Sequence, residues 1–360
     1  MATNNVMNGV KFIIQALAET VNTRAAHGVL FLVIDDATVT PGLYKYAKLK
    51  KVTEAYSTDN KAIISTVFAD YGIKSLIVAV GHDATNGISG SLDTTLSLLN
   101  KVNQNGWLAV PQITSDTDKK KVADFIKAQR KDEDYPLKGV LYNYSGDCEG
   151  IVKFTASNLG AITSDVYAAE VAAQLCVLGP NESITNHTAK NIASCDVKAD
   201  NDDCVSKGEL FLYNNGKNIV FSRGVNSLQT IGTDQSEELT KIRIVEVVDL
   251  VKSDMREIFE TNYLGKMGNS YKNRKTLINS LNSYFKTLSN DGYLSNDELS
   301  YAELDVEATR KYLESKGVNT DDMKDEDVLK AKLGSYVFIK VTLKCMDTIE
   351  DINIVLQYET

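Results

Sequence analysis

Unbroken apolar runs that alternate with helix-spaced segments govern what residues 28–178 can fold into. Residues 28–36 (GVLFLVIDD) are apolar until two closing acids, the pattern of a strand buried on both faces. Residues 58–72 follow, with Ile63, Ile64, Val67 and Tyr71 at helical spacing and Gly72 as a stop. The order then repeats: strand 75–80, helix 91–102, strand 107–111, helix 115–130, strand 138–142. In the third helix Ser115 stands as N-cap with Asp118 three residues on, while Val122, Phe125 and Ile126 point inward. An extended segment at 151–156 and a helix over 164–178 close the series. Repeated strand–helix units predict an α/β fold, a mostly parallel sheet with helices on both faces.

The second half reads differently. Residues 180–206 are polar and irregular, a surface loop; 209–213 and 218–223 form a hairpin around an Asn-Gly turn. Residues 223–268 carry a long amphipathic helix. Ile244, Val247, Val248, Val251, Met255, Ile258 and Phe259 share one face, and Glu246, Asp249, Lys252, Asp254, Arg256, Glu257 and Glu260 take the solvent side. Acids at 233–238 suit the positive end of its dipole, and Gly265 and Gly268 suit its exit. A helix at 271–288, an acidic stretch at 289–332 with a short helix at 306–316, and strands at 336–344 and 351–359 complete a smaller α+β region. A chain of 360 residues exceeds one ordinary core. The expected division is an N-terminal arm at 1–20, an α/β domain at 21–232, a C-terminal domain at 233–346 and a terminal strand arm at 347–360.

Charge and cysteine usage exclude several function classes. A formal net charge of -9 argues against nucleic acid as a partner, since phosphate binding needs a concentrated basic face. No apolar run approaches a membrane span. The first residues lack the basic region and cleavage site of a secretory signal, so the chain is expected to be made in a cytoplasm and to leave it, if at all, by lysis. Cys148, Cys176, Cys195, Cys204 and Cys345 are scattered. Cys195 and Cys204 could bridge a loop, but free thiols suit a reducing compartment better.

Candidate chemistry is sparse. Asp35, His82 and a later serine share the chain order of a subtilisin-type triad, with both former residues just past strand ends. No GxSxG is present, Ser91 follows His82 too closely, and a solvated loop histidine is the better reading. The loop 81–91 (GHDATNGISGS) could cradle a phosphate through Gly87–Ser91 amides, but it matches no phosphate-loop spacing and lacks a lysine. Asp196, Asp200, Asp202 and Asp203 lack the alternation, glycine and closing glutamate of a calcium loop, and acids at 321–327 read as a solvated face. No cofactor, metal or catalytic activity is expected.

Both chain ends are more telling. Val10, Phe12 and Ile14 alternate with polar or opposite-facing neighbours, as do Ile352, Ile354, Leu356 and Tyr358 with Asn353, Val355, Gln357 and Glu359. Burying one such face does not by itself offset the entropy of ordering the segment. Each end therefore needs a sheet edge, in its own domain or in another copy.

In the succession Arg223-Gly224-Val225-Asn226-Ser227-Leu228, Lys241-Ile242-Arg243-Ile244-Val245, Asp249, Asp254-Met255-Arg256, Phe259 and Tyr263-Leu264-Gly265-Lys266, the chain resembles the contractile tail sheath proteins of phages and R-type bacteriocins. A Gly292-Tyr293-Leu294 boundary and Met346-Asp347-Thr348-Ile349-Glu350-Asp351-Ile352 before the last strand follow in the same order. The resemblance implies a subtilisin-like sheath domain without protease activity, in a minimal, diffocin-like sheath. It implies six-fold rings stacked around an inner tube, with baseplate and terminator proteins as further partners, in a phage tail or tail-like particle. It also implies arms at about 6–16 and 347–359 that add strands to neighbouring copies, a metastable extended state, and an inward C-terminal domain. Arg243, Lys252 and Arg256 are the expected tube-facing residues. Two rivals stand beside this reading: a non-contractile filament or shell protein, and an α/β hydrolase or phosphate-binding enzyme that uses His82.

Overall fold

A computed structural model describes residues 28–102, 104–133, 135–179, 182–232 and 236–357. The expected N-terminal arm with Val10, Phe12 and Ile14 lies outside the described residues, as does Tyr358 at the other end.

The chain divides into two compact units. Among the described residues the larger comprises those from 28 to 249 and from 347 to 357, and the smaller comprises Leu250–Met346. In the larger unit the expected α/β series forms: β1 (Val29–Asp35), α1 (Thr58–Ala69), β3 (Ser75–Gly81), α2 (Ile88–Leu99), β4 (Gly106–Ala109), α3 (Asp116–Lys131), β5 (Leu137–Tyr142), β6 (Ile151–Phe154) and α4 (Ser164–Val177). A short strand β2 (Gly42–Tyr46) was not apparent from the sequence, because GLYKY has neither a continuous apolar run nor strict alternation. The sheet order is β2-β3-β1-β4-β5-β6-β7, where β7 is Glu209–Leu210. All neighbours pair in parallel except β2, which runs antiparallel at the β3 edge.

Strand alternation sorts the core into two layers. Leu30, Leu32 and Ile34 of β1 pack with Ile64, Val67 and Phe68 of α1 and with Tyr167, Val171 and Leu175 of α4. Phe31 and Val33 face the other way, toward Leu92 and Leu96 of α2 and Val122 and Ile126 of α3. Helix α4 is buried from Tyr167 to Cys176 without a break, so its small residues (Ala168, Ala169, Ala172, Ala173) let it lie close on the sheet. Gly81 ends β3 where a Cβ would stand 2.0 Å from Thr95 Oγ1 and 2.7 Å from Ser91 Oγ, both on α2. Ser115 caps α3 by accepting from Asp118 N at 3.1 Å.

The polar stretch 180–206 is not wholly irregular. It contains α5 (Asn201–Ser206), and the Asp200 side chain caps it by accepting from Asp202 N and Asp203 N, both at 3.0 Å. The single hairpin expected after it is split. Glu209–Leu210 joins the main sheet beside β6, while β8 (Leu212–Asn214) pairs antiparallel with β9 (Ile219–Phe221). The amphipathic helix α6 (Ile242–Ile258) runs across the division between units and widens into one π-turn over Phe259–Tyr263.

The smaller unit contains α7 (Tyr271–Asn290), β10 (Tyr301–Leu304), α8 (Val306–Ser315), α9 (Asp325–Lys330) and β11 (Ile339–Thr342). Strands β10 and β11 pair antiparallel. Strand β10 was hidden in acid-rich sequence, and the expected strand at 336–344 is shorter than its apolar pattern. Leu313, Val328 and Leu333 form a local core lined by Tyr312, Met323 and Phe338. Asp305 caps α8 by accepting from Ala308 N at 2.8 Å.

Candidate functional site

At the carboxyl ends of the strands, β1 feeds α1 on one face while β4 feeds α3 on the other. That divergence makes the crevice where α/β sheets ordinarily take ligands. Here the protein's own amides occupy it. Gln112 Oε1 accepts from Asp35 N at 2.6 Å, and its Nε2 donates to Asp35 O and Asn60 Oδ1, both at 3.2 Å. Asn60 Nδ2 donates in turn to Asp36 Oδ2 at 2.8 Å. Burial pushes the Asp36 carboxyl up, but donors from Asn60, Thr38 and Ser57 outweigh it and hold the group well below the usual carboxylate range.

Asp35 and His82, related in sequence only by chain order, do come together: His82 Nδ1 lies 3.3 Å from Asp35 Oδ2. The nearby serines are committed elsewhere. Ser91 Oγ lies 3.5 Å from the Gly87 carbonyl, and Ser89 Oγ donates to Asp118 Oδ2 at 2.5 Å. An acid–histidine pair results, with Ser89 and Ser91 each hydrogen-bonded to other partners. The 81–91 loop is filled as well. Asp83 Oδ1 accepts from Thr85 N and Asn86 N at 2.9 and 2.8 Å, which places a carboxylate where a phosphate would have to sit.

The amino ends of β4 and β5 hold a buried ionic network that the sequence did not announce. Asp249 of α6, assigned by periodicity to the solvent side, is 0% exposed. Arg130 grips it with two bonds, Nη1 to Oδ2 at 2.7 Å and Nη2 to Oδ1 at 3.1 Å, and its Nε donates to Glu149 at 3.0 Å. Lys138 Nζ stands 3.5 Å from Asp249 Oδ2 and 3.4 Å from Glu246 Oε2, and donates to Asn105 Oδ1 at 2.7 Å. It also lies 5.5 Å from the Trp107 ring centre, while Trp107 Nε1 donates to Glu246 at 2.6 Å. Periodicity failed at Asp249 because a charged side chain can be buried when two cations meet it. Asp254, also assigned outward, is buried and accepts from Tyr284 OH at 2.8 Å.

Of the residues expected to face a tube, Arg243 is only 5% exposed. Lys252 is exposed and Arg256 is half-buried.

Residues 223–228 (RGVNSL) position the start of α6 and the root of the C-terminal tail. Asn226 N donates to Thr240 O at 2.8 Å, Asn226 Nδ2 donates to Leu239 O at 2.6 Å, and Ile242 N donates to Gly224 O at 3.0 Å. Ser227 N ties the segment to Ile151 O at the start of β6. A Cβ on Gly224 would stand 2.9 Å from Ser183 Oγ and 3.1 Å from Ile184 Cγ2, so a side chain there would crowd the two loops where they approach. This brings Arg223, Lys241, Ser183 and Thr185 around one acidic segment. Lys241 pairs with Asp347, and Arg223 pairs with Asp351 and, at 3.4 Å, with Glu350. Ser183 Oγ and Thr185 Oγ1 donate to Glu350 Oε1 at 3.0 and 2.5 Å.

Beyond this root residues 352–357 form no helix or strand and pair with no strand among the described residues. Ile352, Ile354, Val355 and Leu356 are 74–87% exposed. The strand expected at 351–359 does not form among the described residues, and no described residue covers Ile352, Ile354, Val355 or Leu356. Ser183, Thr185 and Lys241 were missed as partners of the tail. The available signal was the acidic Glu350-Asp351 pair immediately ahead of an apolar alternation.

Comparison with known proteins places these features. Residues 234–357 match the phage tail sheath C-terminal domain family. The tail sheath protein of Clostridium phage phiCD119 is 30% identical over 350 residues, covering 95% of this chain and 96% of that protein. Among solved structures, a sheath tail protein from Listeria innocua superposes with a TM-score of 0.68 at 14% identity, covering 92% of this chain and 99% of that one. The helical sheath of the anti-feeding prophage in its contracted state gives 0.65 at 13% identity, over 93% and 94% of the two chains. At such identities the structural matches speak for a shared fold.

Proposed function

The chain belongs to the phage tail sheath protein family, and from that premise we propose that its copies stack as six-fold rings around an inner tube and contract from a metastable extended state. Contraction would drive the tube through a target cell envelope. Baseplate and terminator proteins would bound the stack, in a virion tail or a phage-tail-like particle released by lysis. The role is structural rather than catalytic: amides fill the sheet crevice and the serines near His82 are bonded elsewhere.

One observation carries the reading furthest. Residues 352–357 leave a fixed root as an exposed, alternating apolar segment that no described residue covers. An alternating segment of that kind is completed by adding to a sheet edge, and in a ring of identical subunits the edge belongs to a neighbour. The arm at 347–360 is thus the joint between copies, with Ile352, Ile354, Leu356 and Tyr358 as its inward face. The arm at 1–20, with Val10, Phe12 and Ile14, is proposed for the same role. Lys252 and Arg256 remain the tube-facing candidates. Charge reversal at the buried Arg243 would test the core instead.

Negative-stain microscopy of particles made in the source strain tests this. Striated cylinders in two lengths are expected, one extended and one contracted, and both are lost when residues 352–360 are deleted. A single lattice with no contracted form would instead identify a static filament. Cylinders that survive the deletion would refute the role of the tail.

A further inference from the structure

We propose that the ionic root of the C-terminal tail sets the register in which the tail adds to a partner's sheet, with Arg223 as the positioning residue. The inference rests on the tail acting as a joint between copies. It goes beyond that reading by assigning the alignment of the joint to the donor subunit.

The geometry is that of a clamp immediately next to the first inserting residue. Glu350 is held from three sides, by Ser183 Oγ at 3.0 Å, Thr185 Oγ1 at 2.5 Å and Arg223 Nε at 3.4 Å. Its side chain is only 10% exposed, whereas that of the following Asp351 is 75% exposed and bonds to the same arginine. Lys241 fixes Asp347 one step earlier. The exposed apolar alternation starts at Ile352 with no slack between clamp and strand. Side chains of a strand alternate with a period of two, so a shift of one residue sends the whole apolar set to the opposite face.

In this tail a one-residue slip would replace Ile352, Ile354, Leu356 and Tyr358 by Asn353, Val355, Gln357 and Glu359. A flexible tail could correct such a slip by sliding. A clamped one cannot, because residue 351 is tied to the body of its own subunit. The glycine of the motif serves the same end: a side chain at Gly224 would push Ser183 away from Glu350.

The test inserts one or two alanines between Asp351 and Ile352 in the full chain, expressed in place of the native gene. Sheathed particles are counted by microscopy, and melting of each purified chain reports folding. If the clamp sets the register, one alanine lowers sheath formation by roughly tenfold, because the faces invert, and two alanines restore most of it. Replacing Arg223 by glutamine in the one-alanine variant then recovers sheath formation, because the freed root can take up the extra residue. Equal tolerance of one and two alanines would overturn the proposal while leaving the tail as the joint. So would a failure of Arg223→Gln to rescue in a chain that melts as the parent does. If deletion of 352–360 leaves sheaths unchanged, the joint itself is refuted and the register proposal falls with it.

Discussion

Replacing Asp249 by asparagine removes the charge that two buried cations share. Arg130 would keep Glu149 at 3.0 Å, and Lys138 would keep Glu246 and Asn105, but neither would keep the carboxylate at the centre. Breaking a buried ion pair by removing one partner typically costs about 3–5 kcal/mol, because the remaining charge stays desolvated. The retained glutamates place this case at the lower end, about 3 kcal/mol. For a unit of this size that corresponds to a fall in Tm of about 6–12 °C. The chain's one tryptophan, Trp107, sits inside the network and reports its loss directly by fluorescence in urea. Lys252→Met is the control. It removes an exposed charge from the same helix, so its cost should lie within about 0.5 kcal/mol. A D249N loss below about 1 kcal/mol, or a K252M loss as large as that of D249N, would refute the reasoning.

Two titrations and their variants follow from other buried acids. Asp36 is held below the ordinary carboxylate range, so the unfolded chain takes up its proton first on acidification. Its contribution is present above about pH 4 and lost as pH falls through its folded value; Asp36→Asn should flatten the loss of stability measured by urea unfolding below pH 4. Glu170 shifts the other way: burial raises it despite donors from Asn191 and Tyr71, both at 2.8 Å. Its contribution is present below about pH 4 and lost as pH rises through the raised folded value. Glu170→Gln keeps an acceptor for both donors and should leave the chain equally or more stable at pH 7, with less gain on acidification, in the same unfolding assay.

The parallel sheet was legible because continuous apolar runs and helical spacing each have one dominant explanation. Strand β1, helix α3 with its Ser115 cap, and strand β5 all formed within a residue or two of the expected bounds. What failed was anything set by partners distant in sequence. Asp249 meets Arg130 across 119 residues, and no local pattern distinguishes it from the exposed Lys252 on the same helix. The loop at 180–206 looked featureless, yet it supplies Ser183 and Thr185 to the tail root and Asn191 to Glu170. Chain order suggested the Asp35–His82 pair. The amides of Gln112 and Asn60, which fill the crevice beside that pair, carried no motif.

The exposed tail also carries a hazard during synthesis. Residues 352–358 (INIVLQY) contain no charge, no proline and no glycine, and are rich in β-branched side chains. A segment of that kind, exposed from Ile352 to Gln357, meets the description of one that stacks into cross-β aggregates. Glu350 and Asp351 on one side and Glu359 on the other bracket it as charged gatekeepers. If the tail adds to a partner's sheet as proposed, the acids at the root would have a second use before that partner arrives, as charges that oppose pairing between newly made chains.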